Sequence, residues 1–342
     1  MQKDPRIRPK LDDVAARAGV STATVSRCLS APQKVRPAVR QRVEAAIAEL
    51  GYRPHGAARA LASRRSHTVG AVIPTLDNAI FATVVQTLQR GLAAAGRTLL
   101  LAASDYDQER ERAQIENLVV RGVDGLMLTG EARDPALFEL LARRGIRYVN
   151  TYVHHPGSPH PSIGFDNRRA MEKLIAYLYD LGHRRFAMIA GIAEASDRAG
   201  ERIEGTQAAL KKRRLKLVPE GLIARPYTIA DGRAALRHLM ALAPRPTAVV
   251  CGNDVLALGA LLEAPTLGLR VPRDLSITGF DDLDLAREVP PGLTTVHAPL
   301  EQMGRLTADY LVGAEPPGDA PHHVELPAEL VVRGSSGAAP KG

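Results

Sequence analysis

The sequence predicts an α/β protein in which a small N-terminal helix-turn-helix headpiece precedes a two-lobed core of parallel sheets flanked by helices. Three observations predict it. Excess positive charge lies at the start of the chain, with 14 Lys/Arg and 5 Asp/Glu among residues 1–67 against 31 and 32 in the rest. Three short helical patterns fill the first 50 residues. From residue 69 onward, apolar runs of strand length alternate with segments of helical period, which indicates βαβ units.

Three short helices are predicted before residue 52. The first, LDDVAARA, has Asp12 or Asp13 as its N-cap and ends at Gly19. The second, STATVSRCL, has Ser21 as its N-cap, and the third begins at Pro37, a residue suited to the first helical position. Two helices joined by the tight turn AGVS and followed by a third are typical of a helix-turn-helix unit.

The two faces of the second helix predict different tasks. The apolar positions of the unit are expected to form its core: Val14, Ala18, Val25 and Leu29. The excess positive charge of this region favours binding to a polyanion such as nucleic acid. The outward positions of the helix are therefore expected to enter a major groove: Thr22, Ala23, Ser26 and Arg27. Short side chains allow close approach to base edges, and Thr24 and Lys34 add phosphate contacts. The alternative is that the hydroxyl residues are simply solvated.

The next segment, RPHGAARALASRRSHT, is basic and poor in apolar residues, so it is interpreted as a linker that becomes helical when bound. The expected domains are the headpiece, this linker, a two-lobed core and a disordered tail: 1–52, 53–67, 68–334 and 335–342.

Seven apolar runs are predicted to be strands of two parallel sheets: 69–73, 98–102, 123–128, 146–150, 185–190, 247–252 and 275–280. Two such sheets meet at a cleft, and ligands of parallel α/β folds bind at the carboxyl ends of the strands. The sequence therefore predicts a small-molecule site between the lobes.

Several function classes are disfavoured because the sequence lacks their characteristic motifs. Two distant cysteines, Cys28 and Cys251, give no disulfide framework or zinc spacing. Phosphate-loop, dinucleotide, zinc-protease and nucleophile-elbow motifs are absent, so we expect no catalytic residues, metal or cofactor. The adjacent histidines at 154–155 and 322–323 are interpreted as solvated loop residues, and Asp281 and Asp282 as hydrogen-bonding residues at a strand end. Without a signal sequence or an apolar span, a cytoplasmic location with no membrane contact is expected.

The stretches LDDVAARAGVSTATVSRCLSAPQKV and RQRVEAAIAELGYRP resemble the headpiece of the LacI/GalR family of bacterial transcriptional regulators. The resemblance continues through GHRRFAMIAG, CGNDVLALGAL, VPRDLSITGFDD and PPGLTTVHAP, covering about 320 residues. It implies a repressor that binds a palindromic operator as a homodimer, with a periplasmic-binding-protein-like core that senses a sugar-like effector. It also implies a hinge helix in the minor groove, with Leu61 as the wedge and Ala58 beside it. The DNA-contacting set is then Ser21, Thr22, Ala23, Thr24, Ser26, Arg27, Lys34, Ala58 and Leu61.

The same resemblance implies the effector contacts. They are Phe81, Asn150, Arg202, Tyr227, Asn253 and Asp281, with Asp166 either a contact or a structural residue. Arg198 departs from the family pattern, which has Ser or Thr there. A second arginine in a closed cleft favours an anionic effector such as a sugar acid. The alternative is an Arg198 turned outward to Asp197 or Glu201.

Two other classes share the core fold. A periplasmic sugar-binding protein is disfavoured by the basic headpiece, and an enzyme acting on a phosphorylated sugar is disfavoured because no phosphate loop is present. The family's C-terminal leucine repeat is missing, which favours a dimer over a tetramer.

Overall fold

A computed structural model describes residues 9–53, 65–313 and 321–341. Its contacts divide the chain into two compact units, residues 1–68 with 122–124 and residues 69–121 with 125–342. Most of the predicted hinge, including Ala58 and Leu61, lies outside the described residues.

The headpiece contains the three predicted helices, α1 (Leu11–Ala18), α2 (Thr22–Ser30) and α3 (Pro37–Leu50), with a 3₁₀ turn at Pro32–Lys34. Gly19 adopts φ 63° and ends α1, because a left-handed residue lets its N–H and that of Val20 bond back to the helix. The Ser21 hydroxyl accepts the Thr24 N–H at 3.2 Å and caps α2, as predicted. The buried core is Val14, Ala15, Ala18, Val25, Cys28, Val43 and Ala46.

Two details of the headpiece differ from prediction. Neither Asp12 nor Asp13 is the N-cap of α1, because Lys10 occupies that position. Asp13 is the third residue of the helix, and its Oδ2 accepts the Lys10 N–H at 2.8 Å. Leu29 is exposed and not in the core. Cys28 fills that place because it lies three residues after Val25, on the same face of α2.

The first lobe of the core is a six-stranded sheet with helices on its faces. Its strands are β1 (Thr68–Ile73), β2 (Thr98–Ala103), β3 (Gly125–Thr129), β4 (Arg147–Thr151), β5 (Ser162–Gly164) and β11 (His323–Glu325), in the order β11-β5-β4-β3-β1-β2. Its helices are α4 (Ala79–Ala94), α5 (Gln108–Val120), α6 (Pro135–Arg143) and α12 (Leu300–Val312). All residues of β3 are buried, which explains why a continuous apolar run predicted this strand.

The second lobe is a four-stranded parallel sheet. Its strands are β6 (Phe186–Ala190), β7 (Leu217–Ala224), β8 (Ala248–Cys251) and β9 (Ser276–Thr278), in the order β7-β6-β8-β9. Its helices are α7 (Asn167–Asp180), α8 (Asp197–Lys212), α9 (Ile229–Met240), α10 (Asp254–Glu263) and α11 (Asp284–Glu288), with 3₁₀ turns at Ala193–Ala195 and Ala264–Leu267. A short antiparallel pair, β10 (Thr295–His297) and β12 (Glu329–Val331), completes the core.

The chain passes between the lobes three times: between β5 and α7, between β9 and α12, and after β11. Within the described residues, no helix is both long and apolar enough to cross a membrane.

The prediction of a disordered tail is wrong for residues 335–341. Ser335 and Ser336 are buried, and Ser335 exchanges hydrogen bonds with the backbone of Ile277. Gly337 donates to Ser276 Oγ at 3.1 Å, and the Ala339 N–H donates to the Leu181 carbonyl at 2.9 Å. A Gly/Ser/Ala composition predicted disorder, but these small residues fit closely against the second lobe.

Candidate functional site

The carboxyl ends of strands from both lobes meet at a small cavity within the core. The first lobe contributes the start of α4 and the loops after β2 and β4. The second contributes the start of α8 and the loops after β7, β8 and β9. The lining residues are Asn78, Ile80, Phe81, Tyr106, Tyr152, Ser196, Arg198, Arg202, Tyr227, Asn253 and Asp281.

Three polar atoms of this lining are buried without a hydrogen-bond partner: Asn78 Nδ2, Asn253 Nδ2 and Asp281 Oδ2. The side-chain oxygen of each asparagine already accepts a hydrogen bond, because Asn78 caps α4 and Asn253 caps α10. Each cap fixes the direction of the free NH₂ group. Because buried polar groups in folded proteins are almost always satisfied, two donors and one acceptor left free in one cavity indicate a ligand site.

Aromatic rings form much of the remaining wall. Phe81 and Tyr152 meet edge to face at 5.4 Å, and Tyr106 and Tyr227 lie 5.7 Å apart. The Tyr152 hydroxyl donates to the Ile80 carbonyl at 3.0 Å. Gly191 allows Tyr227 to pack here, because a Cβ at that position would lie 2.0 Å from the tyrosine oxygen. The cavity therefore offers apolar ring faces beside its polar atoms.

Arg202 is held rigidly at the cavity floor. Its Nε donates to Asn167 Oδ1 at 2.9 Å, and its Nη1 donates to the Gly252 carbonyl at 2.6 Å. The guanidinium carbon stacks 3.6 Å from the centre of the Phe280 ring, and Nη2 lies 3.6 Å from Asp281 Oδ1. These contacts orient the guanidinium before a ligand arrives.

Asp281 follows β9 in an unusual backbone conformation, with φ 115°. Burial raises the pKa of Asp281 to about 7, although Arg202 and Arg198 oppose this. Burial and the nearby Asp281 charge raise the pKa of Asp254 to about 8, and this carboxyl accepts the Thr295 hydroxyl and the Leu283 N–H. Asp282 instead pairs with Arg333 and His297, the hydrogen-bonding role that was predicted.

Arg198 lines the cavity and carries its own counter-ion. It is buried, and its Nη1 donates to Asp197 Oδ1 at 2.9 Å. Although burial favours the neutral acid, Arg198 and the backbone N–H groups of Glu131 and Ala132 lower the pKa of Asp197. Both sequence alternatives were therefore half right: Arg198 faces the cleft, and it pairs with Asp197.

A second pocket adjoins this cavity and shares Tyr106, Ser196 and Arg198 with it. Its wall is rich in carboxylates: Asp107, Glu111, Glu194 and Asp197. Arg198 is the one cationic side chain among its described lining residues.

Six of the seven predicted effector residues line the cavity, and Asn150 does not. Asn150 is fully buried, and its Oδ1 accepts Arg133 Nη1 at 2.8 Å. It lies at the end of β4 as expected, but its side chain points to Arg133. Asp166 has the structural role, because its carboxylate caps α7 by accepting the Arg169 N–H.

Sequence reasoning missed Asn78, Tyr106, Tyr152 and Ser196. Tyr106 and Tyr152 follow strands β2 and β4, so the expectation that ligands bind at the carboxyl ends of parallel strands could have indicated them. The prediction that His155 is a solvated loop residue was also wrong, because its ring lies between Glu131 and Glu201. Among the described residues, no group of His, Cys, Asp and Glu could hold a metal ion.

The outer face of α2 presents short side chains. Thr22, Ala23 and Arg27 are exposed, and Thr24 and Ser26 are half-buried. The buried residues Val25 and Cys28 hold the opposite face against α1 and α3. Lys34 is exposed on the turn that follows α2. This arrangement leaves the start of α2 free to approach a groove.

Comparison with known proteins gives consistent matches to both parts. The family of bacterial regulatory proteins named lacI matches residues 10–55, and the periplasmic binding protein-like domain matches residues 175–336. The HTH-type transcriptional repressor CytR of Escherichia coli K12 is 34% identical over 340 residues, 96% of this chain and 97% of the relative. The ribose operon repressor of the same strain is 33% identical over 88% of this chain and 92% of its own length.

Solved structures agree. The lac repressor dimer bound to operator and the anti-inducer ONPF has a TM-score of 0.86 at 26% identity, covering 97% of this chain and 100% of that one. A LacI family regulator from Silicibacter pomeroyi has a TM-score of 0.85, also at 26% identity, over 96% and 99% of the two chains.

A helix-turn-helix headpiece joined to a core with a cavity between its lobes defines a ligand-controlled DNA-binding protein. The chain belongs to the lacI family of bacterial regulatory proteins. It is accordingly an effector-controlled regulator of transcription and not an enzyme.

Proposed function

We propose that this protein represses transcription as a cytoplasmic homodimer on a palindromic operator, under the control of a neutral, hydroxyl-rich ring compound such as a sugar. The observation that carries the effector class is the set of unpartnered buried atoms, Asn78 Nδ2, Asn253 Nδ2 and Asp281 Oδ2. A hydroxyl both donates and accepts hydrogen bonds, so adjacent hydroxyls satisfy amide donors and a carboxylate acceptor together.

The aromatic wall fits the rest of such a ligand. Phe81 and Tyr227 present ring faces that cover the C–H face of a sugar ring, and Arg202 is oriented to bond a ring or hydroxyl oxygen. Among solved relatives, a transcriptional regulator named CelR has been captured in a complex with cellobiose, over 96% of this chain at 31% identity. That sugar complex supports a sugar-like effector here.

The charges in the cleft favour a neutral effector over a sugar acid. Arg198 is paired with Asp197, and Arg202 lies beside Asp281, so neither arginine needs an anion from the ligand. The carboxylates that line the adjoining pocket, Asp107 and Glu194 among them, would repel a negatively charged ligand. Arg198 therefore does not by itself favour an anionic effector.

We assign DNA recognition to the outer face of α2. Ala23 and Thr22 offer methyl groups to thymine, Ser26 and Arg27 bond base edges or phosphates, and Lys34 contacts the backbone. Ser21 and Thr24, whose hydroxyls lie 2.9 Å apart, stand at the N-terminus of α2 where phosphate binds well. By family resemblance, Ala58 and Leu61 act in the minor groove. Two headpieces of a dimer then read the two halves of a palindrome.

Effector binding and DNA binding are linked by free energy. An effector that prefers one arrangement of the lobes changes operator affinity, and the operator changes effector affinity by the same factor. The corresponding coupling free energy is typically about 1–3 kcal/mol.

A thermal-shift screen of the full chain tests the effector class. The panel holds neutral sugars, ribonucleosides and sugar acids of matched size, applied to the unmodified protein, to Asp281→Asn and to Glu172→Gln. Glu172 pairs with Lys212 on the surface of the second lobe, so this variant is a control of equal charge change. We expect neutral compounds to raise the midpoint of the unmodified protein and of the control, with the effect lost in Asp281→Asn. Stabilisation by sugar acids alone, or an undiminished effect in Asp281→Asn, contradicts the proposal.

Binding to a promoter fragment at increasing salt tests the DNA assignment. The logarithm of the association constant should fall with the logarithm of salt concentration by about 0.9 per phosphate neutralised. Arg27→Ala should reduce that slope or relax sequence preference. Arg143 is an exposed residue at the end of α6 in the first lobe, and Arg143→Ala should do neither. A flat salt response of the unmodified protein would remove the DNA assignment of the headpiece.

A further inference from the structure

Four acidic and basic side chains connect the two lobes beside the cavity. Glu131 follows β3 and His155 follows β4 in the first lobe, whereas Asp197 and Glu201 lie in the first two turns of α8 in the second. His155 Nδ1 lies 2.9 Å from Glu131 Oε2, and Nε2 lies 2.5 Å from Glu201 Oε1. The imidazole ring thus spans the space between one carboxylate of each lobe.

A second contact crosses between the lobes next to the first. Asp197 Oδ2 accepts the backbone N–H of Glu131 at 2.5 Å and that of Ala132 at 3.0 Å. The backbones approach closely because residue 130 is glycine with φ 75°, and a Cβ there would lie 2.2 Å from Arg198 Nη1. The first lobe is therefore held at both the side chain and the backbone of Glu131.

The positive charge of His155 complements the two carboxylates that it contacts. Hydrogen bonds to Glu131 and Glu201 raise the pKa of His155 to about 10, so the ring is an imidazolium with two N–H donors at neutral pH. Although burial opposes ionisation, bonds from His155 and Ser158 lower the pKa of Glu131. Glu201 is 7% exposed, and Arg168 Nη1 lies 3.7 Å from it. Separating the lobes would leave Glu201 without its imidazolium partner, which is costly for a buried carboxylate.

The cluster is also bonded to the cavity. Glu201 Oε2 accepts Asn167 Nδ2 at 3.2 Å, and Asn167 Oδ1 accepts Arg202 Nε at 2.9 Å. Arg202 and Arg198 both line the cavity, and Arg198 is paired with Asp197. Each arginine that faces the ligand is thus connected by hydrogen bonds to a contact that exists only when the lobes are together.

We propose that Glu131, His155, Asp197 and Glu201 form an interlobe clasp, which helps to hold the lobes together in the absence of an effector and makes His155 a positioning residue for Arg202. The proposal rests on the proposed function only in taking the cavity as the effector site. The clasp sets how far the lobes are closed before an effector arrives, and so it sets both effector affinity and basal operator affinity.

Hydrogen exchange of the full chain tests the clasp without any effector. The amides of Glu131 and Ala132 donate to Asp197, so a peptide covering residues 128–135 reports lobe separation directly. We compare the unmodified protein with His155→Gln, Glu201→Gln and the surface control Glu172→Gln. Glutamine at 155 carries no charge and has both N–H donors on one nitrogen, so it cannot donate to the two carboxylates from two separate nitrogens as the imidazolium does.

We expect His155→Gln and Glu201→Gln to speed exchange of these two amides by about 2- to 30-fold, the range for residues that couple two sites. The control should match the unmodified protein. Unchanged exchange in both clasp variants, with thermal midpoints showing that they are folded, would overturn the proposal. Faster exchange throughout the molecule would also overturn it, because it would indicate general destabilisation and not separation of the lobes.

A second measurement joins the clasp to the effector. For a compound that stabilises the unmodified protein, calorimetric affinity should fall in His155→Gln while the control is unchanged. If no compound binds, the effector assignment fails, yet the exchange result still decides the clasp. If affinity is unchanged while exchange of Glu131 and Ala132 is faster, His155 closes the lobes but does not position Arg202.

Discussion

Replacing Asp281 by asparagine should make the folded protein more stable at pH 8 while it abolishes effector binding. Asparagine has the shape of aspartate and tolerates the positive φ at this position better than most residues. Its Oδ1 can keep the contact with Arg202, and its NH₂ group replaces the unpartnered Oδ2. The substitution therefore removes a buried charge with little change of shape.

The pKa of Asp281 gives the sign and size of the effect. An aspartate in an unfolded chain titrates near pH 4, whereas burial raises this pKa to about 7 in the folded protein. The folded state holds its proton longer, so the unmodified protein loses stability as the pH rises through this window. A difference of about three pH units corresponds to a cost on the order of 4 kcal/mol above pH 7, absent below pH 4.

Urea unfolding of the full chain at pH 5, 6, 7 and 8 measures this cost. The free energy of unfolding of Asp281→Asn minus that of the unmodified protein should increase from pH 5 to pH 7 and then level off, because the pKa of Asp281 in the folded protein is about 7. Parallel pH curves, or a variant that becomes relatively weaker as pH rises, would refute the reasoning that burial outweighs the attraction of Arg202. Loss of the thermal shift caused by the effector should accompany the gain in stability, since the carboxylate is the free acceptor of the cavity.

Three further predictions concern other parts of the molecule. Ala23→Gln should change the preferred operator in a selection from random sequences while leaving headpiece stability nearly unchanged, because residue 23 is exposed and glutamine can bond adenine; an unchanged preference would count against the role of this face. Gly130→Ala should speed exchange of the Glu131 and Ala132 amides, because its Cβ would collide with Arg198. Gly145→Ala is the matched control, because Gly145 also has a positive φ (64° against 75°) but a Cβ there would meet no atom within 4 Å. Removal of residues 335–342 should lower the thermal midpoint of the core, since Ser335 bonds the backbone of Ile277; an unchanged midpoint would mean that the tail contributes nothing.

The parts of the fold that the sequence predicts are those with a strong periodic pattern. Strands such as β3 and β8 are buried on both faces and therefore appear as continuous apolar runs. Strands β5, β10, β11 and β12 have three residues each, too few to show any period, and their pairing depends on distant segments; β9 is equally short but lies within the predicted apolar run 275–280. The second lobe's long strand β7 was missed because its exposed alternation is interrupted by proline and glycine.

The candidate site was predicted through strand ends and family resemblance, and its errors come from side-chain direction. Asn253 and Asp281 follow strands and face the cavity, whereas Asn150 ends a strand but turns to Arg133. Partners far apart in sequence decide such directions. The bridge from His155 to Glu201 has the same origin, since residues 46 positions apart carry no local pattern.

The three passages of the chain between the lobes mean that neither lobe is a continuous stretch of sequence. The first lobe takes α12 and β11 from residues that follow the second lobe, and residues 335–341 return to the second lobe. A single break in one of these passages would leave both lobes joined by the other two. Synthesis of the first 164 residues likewise cannot complete the first sheet, because its edge strand β11 comes near the end. Completion of the first sheet therefore depends on a contact between residues that are far apart in the sequence, and contacts of this kind form slowly in folding.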